Sequence, residues 1–236
     1  MTRYALFLGG DMDATPRLMS QIAGLSVIAA DSGMAHAERL GVTPELWVGD
    51  FDSVSPGDIE RFGEVEIQRH PVDKDMTDGD LAFREAIRRG ARSLLVVGAF
   101  GGPRLDHAMQ ITMAAIGLHE AGIDTVLTDG RQEGYPLRIG EENRFEFSEG
   151  TLFSILVFSD LKDLSVSGAR WPLAEETIPF GSSRTLSNVA EGPLTITLSA
   201  GRGLLLVTQD VFEPAMTDRA VAGMIADAVE SDEDAD

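Results

Sequence analysis

The stretch Ser93-Leu94-Leu95-Val96-Val97-Gly98-Ala99-Phe100-Gly101-Gly102-Pro103-Arg104-Leu105-Asp106-His107 decides the fold. Leu94–Val97 is a short, unbroken apolar run, the pattern of a strand buried on both faces rather than one with a wet side. A glycine-rich turn follows, and Leu105–Ala121 then carries apolar residues at helical spacing. Strand, tight turn and helix make a β-α unit, and the same unit recurs on either side. Tyr4–Leu8, Val27–Ala30, Leu46–Val48, Val65–Gln68 and Thr125–Thr128 are further strand candidates. Asp78–Arg89 is a helix candidate with Leu81, Ala82, Ala86 and Ile87 on one stripe. The repetition predicts an α/β domain with a mostly parallel sheet and flanking helices. From about Arg131 the texture changes. Tyr135–Ile139, Arg144–Phe147, Leu152–Phe158, Leu164–Gly168, Leu194–Leu198 and Gly203–Thr208 are short runs separated by turn residues, as in a smaller antiparallel β-sandwich. The expected organisation is 1–130 for the α/β domain, 131–213 for the β-sandwich, and 214–236 for a tail that ends in the like-charged run Glu230–Asp236.

Composition narrows the chemistry. A net charge of −20, from 39 acidic against 19 basic side chains, opposes binding to nucleic acid or to an anionic membrane surface. The absence of cysteine removes disulfides, zinc–thiolate sites and iron–sulfur clusters. The opening apolar run is too brief for a signal or a membrane span, so it is expected to be the first core strand of a cytoplasmic protein.

Four stretches concentrate polar residues at the ends of strand candidates, where open α/β sheets bind ligands. In Val27–His36 a buried strand runs into Asp31-Ser32-Gly33, residues that would line a ligand site or cap the next helix. Gly49-Asp50-Phe51-Asp52-Ser53 sets two carboxylates at i,i+2. On an extended backbone they would share one face, with Phe51 turned to the core, and their repulsion calls for a cation such as Mg²⁺. Asp73-Lys74-Asp75-Met76-Thr77-Asp78-Gly79-Asp80 holds more acids than a helix cap at Thr77 or Asp78 needs, and as an EF-hand loop its glycine is misplaced and no glutamate closes twelve residues. The glycines of Gly98–Gly102 would let backbone amides approach a phosphate and Arg104 would pair with its oxygens. The Gly-Lys-Ser/Thr ending of a Walker A loop is missing, and His107, in a first helical turn, has the position of a packing or hydrogen-bonding residue rather than a lone base.

In their order and spacing these four stretches resemble the motifs of the thiamine pyrophosphokinase family, and the resemblance runs from about residue 4 to residue 212. Gly168-Ala169-Arg170-Trp171-Pro172-Leu173 and Leu186-Ser187-Asn188 resemble two further elements of that family. The resemblance implies a homodimer of an α/β nucleotide domain and a β-sandwich, with thiamine bound across the subunit interface. It also implies Mg²⁺-dependent transfer of pyrophosphate from ATP to the thiamine hydroxyl. By the same resemblance Asp50, Asp52 and Asp75 would hold Mg²⁺ and would form the catalytic set with Asp78 and Asp106. Asp31, Ser32, Gly33, Ser53, Thr77, Gly101, Gly102 and Arg104 would bind the nucleotide, and Trp171, Ser187 and Asn188 the thiamine. Trp171 would otherwise be a sandwich-core aromatic, and Ser187-Asn188 a turn. The chain departs from the family at Ser32, where glycine is common, and at Pro103, which enlarges the glycine turn. A different acceptor, such as a hydroxymethylpterin, and a non-catalytic binder of thiamine or nucleotide are the alternatives, and the surplus carboxylates weigh against the second.

Overall fold

The computed structural model describes residues 2–51, 56–71 and 75–209. These form two compact units, one of residues 2–111 with 128–130 and one of residues 112–127 with 131–209.

The first unit contains β1 (Arg3–Phe7), α1 (Pro16–Ile22), β2 (Ser26–Ala30), α2 (Met34–Arg39), β3 (Leu46–Gly49), α3 (Pro56–Arg61), β4 (Glu66–Arg69), α4 (Asp78–Arg88) and β5 (Ser93–Val97). It also contains the start of α5 (Leu105–Glu120). The strands lie in the order β5-β1-β2-β3-β4, and every adjacent pair is parallel. This is the predicted parallel sheet. Leu6, Phe7, Ile28, Leu46, Trp47 and Leu94 are fully or almost fully buried along it. Registers Phe7↔Val97 and Phe7↔Ala29 bring β1, β2 and β5 to an end at one level, so the loops that leave them start side by side.

α4 shows how the helices are fixed. Thr77 is its N-cap: the hydroxyl accepts from the Asp80 amide at 3.1 Å, and the Asp80 carboxylate accepts from the Thr77 amide at 3.1 Å, which completes a capping box. Leu81, Ala82, Phe83 and Ala86 bury one face. At the far end Arg89 donates to Glu85, Glu45 and Glu66 at 2.8, 3.0 and 2.8 Å and so ties the last turn to the entrances of β3 and β4.

The second unit carries the rest of α5, then β6 (Asp124–Thr128), β7 (Gln132–Pro136), β8 (Asn143–Phe145), β9 (Leu152–Val157), β10 (Leu161–Ala169), β11 (Leu173–Ile178), β12 (Asn188–Thr197) and β13 (Gly203–Thr208). The strands from β7 onward pair antiparallel: β13 between β7 and β9, β12 with β9, β8 and β10, and β10 with β11. Their inward residues, among them Ile155, Leu161, Leu164, Ile178, Leu194 and Ile196, form one buried cluster. Two differences from expectation stand out. β7 lies earlier than Tyr135–Ile139, and β11 and the first half of β12 are strands where none was predicted. Among the described residues no helix is long and apolar enough to cross a membrane.

Candidate active site

The loops that leave β1, β2 and β5 line an open cavity of about 240 Å³, bordered also by the starts of α4 and α5. Its floor is nearly free of side chains. Leu8, Gly9 and Gly10 come from the β1 loop, Gly98, Ala99, Gly101 and Gly102 from the β5 loop, and Asp31 and Ser32 from the turn after β2. The loops are tied to one another by backbone hydrogen bonds, Gly10 N–H to Gly98 O at 3.1 Å and Asp11 N–H to Phe100 O at 2.8 Å. They are also so close that only glycine fits at the crossings. A Cβ on Gly33 would stand 2.0 Å from the Phe7 carbonyl oxygen. One on Gly98, whose φ is +70°, would stand 2.3 Å from that of Leu8.

Asp31 sits at φ +44°, a left-handed conformation that costs a side chain about 1 kcal/mol or more and that aspartate tolerates better than most. It is held there because the buried Trp47 indole donates to the Asp31 carbonyl at 2.9 Å and Gly49 leaves room for its Cα. Strain of this kind, fixed by a core side chain, places Ala30, Asp31 and Ser32 on the cavity wall.

Of the predicted nucleotide and catalytic residues, Asp31, Ser32, Thr77, Asp78, Gly101, Gly102 and Arg104 meet around this cavity. Gly33 is buried beneath it, against β1. Asp50 and Asp75 lie outside the lining, Asp50 half-buried just past β3 and Asp75 exposed, and Asp52, Ser53 and Asp73 fall outside the described residues. The extended backbone assumed for Asp50–Asp52 does not hold. β3 ends at Gly49, and Phe51 has φ +61°, with its ring edge-on to Trp47 at 4.8 Å and under the Arg69 guanidinium at 4.8 Å. Phe51 is nevertheless buried, as expected. Among the described residues no three histidine or acidic side chains cluster as a metal site. The hard oxygens of Asp50 and Asp75 suit a cation such as Mg²⁺, and they would need Asp52 to complete a set.

Arg104, in the lining, forms an exposed bidentate pair with Asp106 at 2.9 and 2.7 Å. The guanidinium holds the Asp106 carboxyl down to about 2. A phosphate arriving in the cavity would compete for the same fork of N–H groups. His107 is exposed and lines the cavity instead of packing in a core. Two contributors were not singled out in the sequence. Gly9-Gly10 announces itself as a glycine pair straight after the first strand. Gln110, one turn into α5, donates to Asp80 at 2.7 Å and gives no such signal. Asp80 itself is taken up by Thr77 and Gln110, so one of the surplus acids is structural.

The second unit has a cavity of about 380 Å³ whose lining includes Phe153, Ile155, Trp171, Leu173, Arg184 and Asn188. Trp171 is 56% exposed, which rules out its role as a core aromatic. Its backbone is clamped by the buried Asn188 side chain: Oδ1 accepts from the Trp171 amide at 3.2 Å and Nδ2 donates to the Trp171 carbonyl at 2.8 Å. The Arg170 guanidinium lies 5.8 Å from the indole centre. Ser187, at φ +58°, is exposed outside the lining, and its amide donates to Ser154 at 3.0 Å. Arg184, not anticipated, pairs twice with Glu176 and lowers its carboxyl pKa for that reason.

Two family models match the chain, and the first runs through residues 112–127, which pack in the second unit. Residues 23–127 match the model of the thiamin pyrophosphokinase catalytic domain, and residues 137–205 match that of its vitamin B1 binding domain. The thiamine pyrophosphokinase of Bacillus subtilis (strain 168) is 28% identical over 165 residues, which span 68% of this chain and 76% of the relative. Among solved structures, thiamine pyrophosphokinase from Bacillus subtilis aligns with a TM-score of 0.78 at 23% identity, covering 89% of this chain and 100% of that one. The enzyme from Candida albicans aligns at 0.73 and 15% identity, covering 88% and 90%. At those identities the structural likeness concerns the fold.

Proposed function

The chain belongs to the thiamin pyrophosphokinase family and is a thiamine diphosphokinase, and from that premise we propose how its residues divide the work. The reaction is transfer of the terminal pyrophosphate of ATP to the hydroxyethyl group of thiamine, in a Mg²⁺-dependent step that releases AMP. One observation carries this reading: a glycine-floored cavity at the carboxyl ends of β1, β2 and β5, with Arg104, Ser32 and Thr77 at its wall.

A triphosphate is an extended anion that needs donors and close backbone approach rather than bulk, and such a floor supplies both. Asp50, Asp52 and Asp75 would hold Mg²⁺, which when bound neutralises charge on the phosphates. Asp78 and Asp106 complete the acidic set, and Asp106 also orients Arg104 through their paired hydrogen bonds. The thiamine hydroxyl attacks the β-phosphorus in line as the bond to the bridging oxygen breaks, AMP departs, and the alcohol proton passes to a carboxylate. Positioning and electrostatics account for most of the rate. In the second unit Trp171 offers an aromatic face to the cationic heterocycle, with Ser187 and Asn188 beside it. A homodimer in the cytoplasm belongs to the same proposal.

The test is product analysis of purified protein supplied with ATP, thiamine and Mg²⁺. Equal amounts of AMP and thiamine diphosphate are expected, with loss of turnover in EDTA. Formation of ADP in place of AMP would overturn pyrophosphate transfer. Light scattering in solution tests the dimer.

A further inference from the structure

We propose that His36 and Arg39, on the same side of α2, are positioning residues that hold the Gly9–Met12 loop in place as the floor of the phosphate site. The proposal rests on the reading of that cavity as the ATP site. His36 Nε2 lies 2.8 Å from the Gly10 carbonyl oxygen, and Arg39 Nη1 donates to the Met12 carbonyl at 3.0 Å. A carbonyl only accepts, so Nε2 carries the ring proton in this contact. Burial lowers the His36 pKa below its ordinary value, against the opposing effect of the Gly10 hydrogen bond.

Spacing and packing explain why these two side chains reach the loop. Residues three apart on a helix point to one side, and α2 starts directly after the Asp31–Gly33 turn that forms another wall of the cavity. The same ring also borders the third loop, since a Cβ on Gly98 would come within 3.2 Å of His36 Cδ2. The β1 loop is therefore held from two directions. Its amides at Gly10 and Asp11 donate to the β5 loop, and its carbonyls at Gly10 and Met12 accept from α2. A glycine pair has no side chains to fix its own path, and this double hold defines it.

The discriminating variants are His36→Phe, which keeps ring volume and loses the donor, and His36→Gln, which keeps a donor at similar reach. Arg39→Ala and Arg39→Lys form the matching pair. His36→Phe is expected to raise the KM for ATP by about tenfold or more, as small misplacements of a binding group do. The KM for thiamine should be unchanged, and His36→Gln should return the ATP value to near the parent's. A role in stability alone would lower the melting temperature of the Phe variant without this split between substrates. Hydrogen exchange at the Gly10 and Asp11 amides reads the clamp without any substrate. Exchange at least about tenfold faster in His36→Phe and Arg39→Ala is expected, with parental exchange in the Gln and Lys variants. Parental exchange together with parental ATP kinetics in both donor-free variants would overturn the clamp. Fast exchange in the variants of a protein that forms no AMP would leave the clamp standing and overturn the ATP reading alone. Should His36→Phe fail to fold, the Arg39 pair decides by the same two measurements.

Discussion

Replacing Gly33 with alanine tests the geometry of the cavity most directly. The added Cβ would stand 2.0 Å from the Phe7 carbonyl oxygen and 2.4 Å from its carbon, where ordinary contact begins near 3.4 Å. Something must therefore move by more than an ångström. Phe7 cannot yield easily, because β1 is hydrogen-bonded to β2 on one side and β5 on the other and the residue is fully buried. The turn of Asp31 and Ser32 must move instead, and with it a wall of the cavity. Backbone overlap of this kind costs about 1–3 kcal/mol, and two backbone segments in opposition put it at the upper end. At about 2–4 °C per kcal/mol for a chain of this size, the melting temperature should fall by roughly 6–12 °C. A wall displaced by about 1 Å should lower kcat/KM for ATP by around a hundredfold. Gly117→Ala is the control: Gly117 lies inside α5, and among the described residues nothing outside the helix's own backbone comes within 4 Å of its Cβ position. It should gain about 0.5–1 kcal/mol and keep full activity. Differential scanning calorimetry and steady-state kinetics on both variants suffice. A Gly33→Ala protein with parental melting temperature and parental kcat/KM would refute the account of this wall.

Three other outcomes follow from the same structure. Glu85, held between Arg88 and Arg89, has its carboxyl lowered from 4.5 to about 2, worth at most ~3 kcal/mol and less after allowing for the 69% exposure of Arg88. Because the folded value is the depressed one, this stability is present above pH 4.5 and lost as pH falls toward 2; denaturant titrations of Glu85→Gln should lack that part of the slope. His119 is lowered by burial and then by Arg138, against the opposing pull of Asp124, Glu141 and Glu120, and neither ring nitrogen has a hydrogen-bond partner among the described residues. The unfolded chain takes up that proton first, so unfolding free energy should decline as pH drops below 6.5, and His119→Leu should flatten the decline; an unchanged pH profile in the variant would count against it. Finally, Trp171→Ala should raise the KM for thiamine by about five- to thirtyfold, a loss of roughly 1–2 kcal/mol, while the KM for ATP stays put. Equal effects on both substrates would remove Trp171 from the thiamine site.

The parallel half was legible because strands such as Leu94–Val97 are covered on both faces and read as plain apolar runs. β11 was not, and its sequence explains why. In Leu173-Ala-Glu-Glu-Thr-Ile178 only Ile178 is buried, and the strand stands at the end of the sheet order, where charged residues are tolerated and protect an edge. The start of β12 hid behind Gly192 and Pro193, two residues that usually mark turns. In the site, the clustering of acids was visible but their employment was not. Asp80 counted among the surplus acids and Asn188 as a thiamine contact or a turn residue, yet one is taken up by Thr77 and Gln110 and the other by the Trp171 backbone. Such partners depend on local angles that residue type does not encode.

The place of β1 between β2 and β5 also bears on when the cavity can exist. Arg3 pairs with Ser93, so the β1 and β5 loops become neighbours only after some ninety residues of chain have been synthesised and folded back. Contacts that distant close late, since the entropy of the intervening loop must be overcome first. A chain arrested before Ser93 would hold Gly9, Asp31 and Thr77 yet lack the part of the floor that Gly98–Gly102 supply. Nucleotide affinity should therefore arise in one step with the last central strand, and ATP should act as a ligand of the finished sheet, slowing its unfolding rather than speeding its assembly.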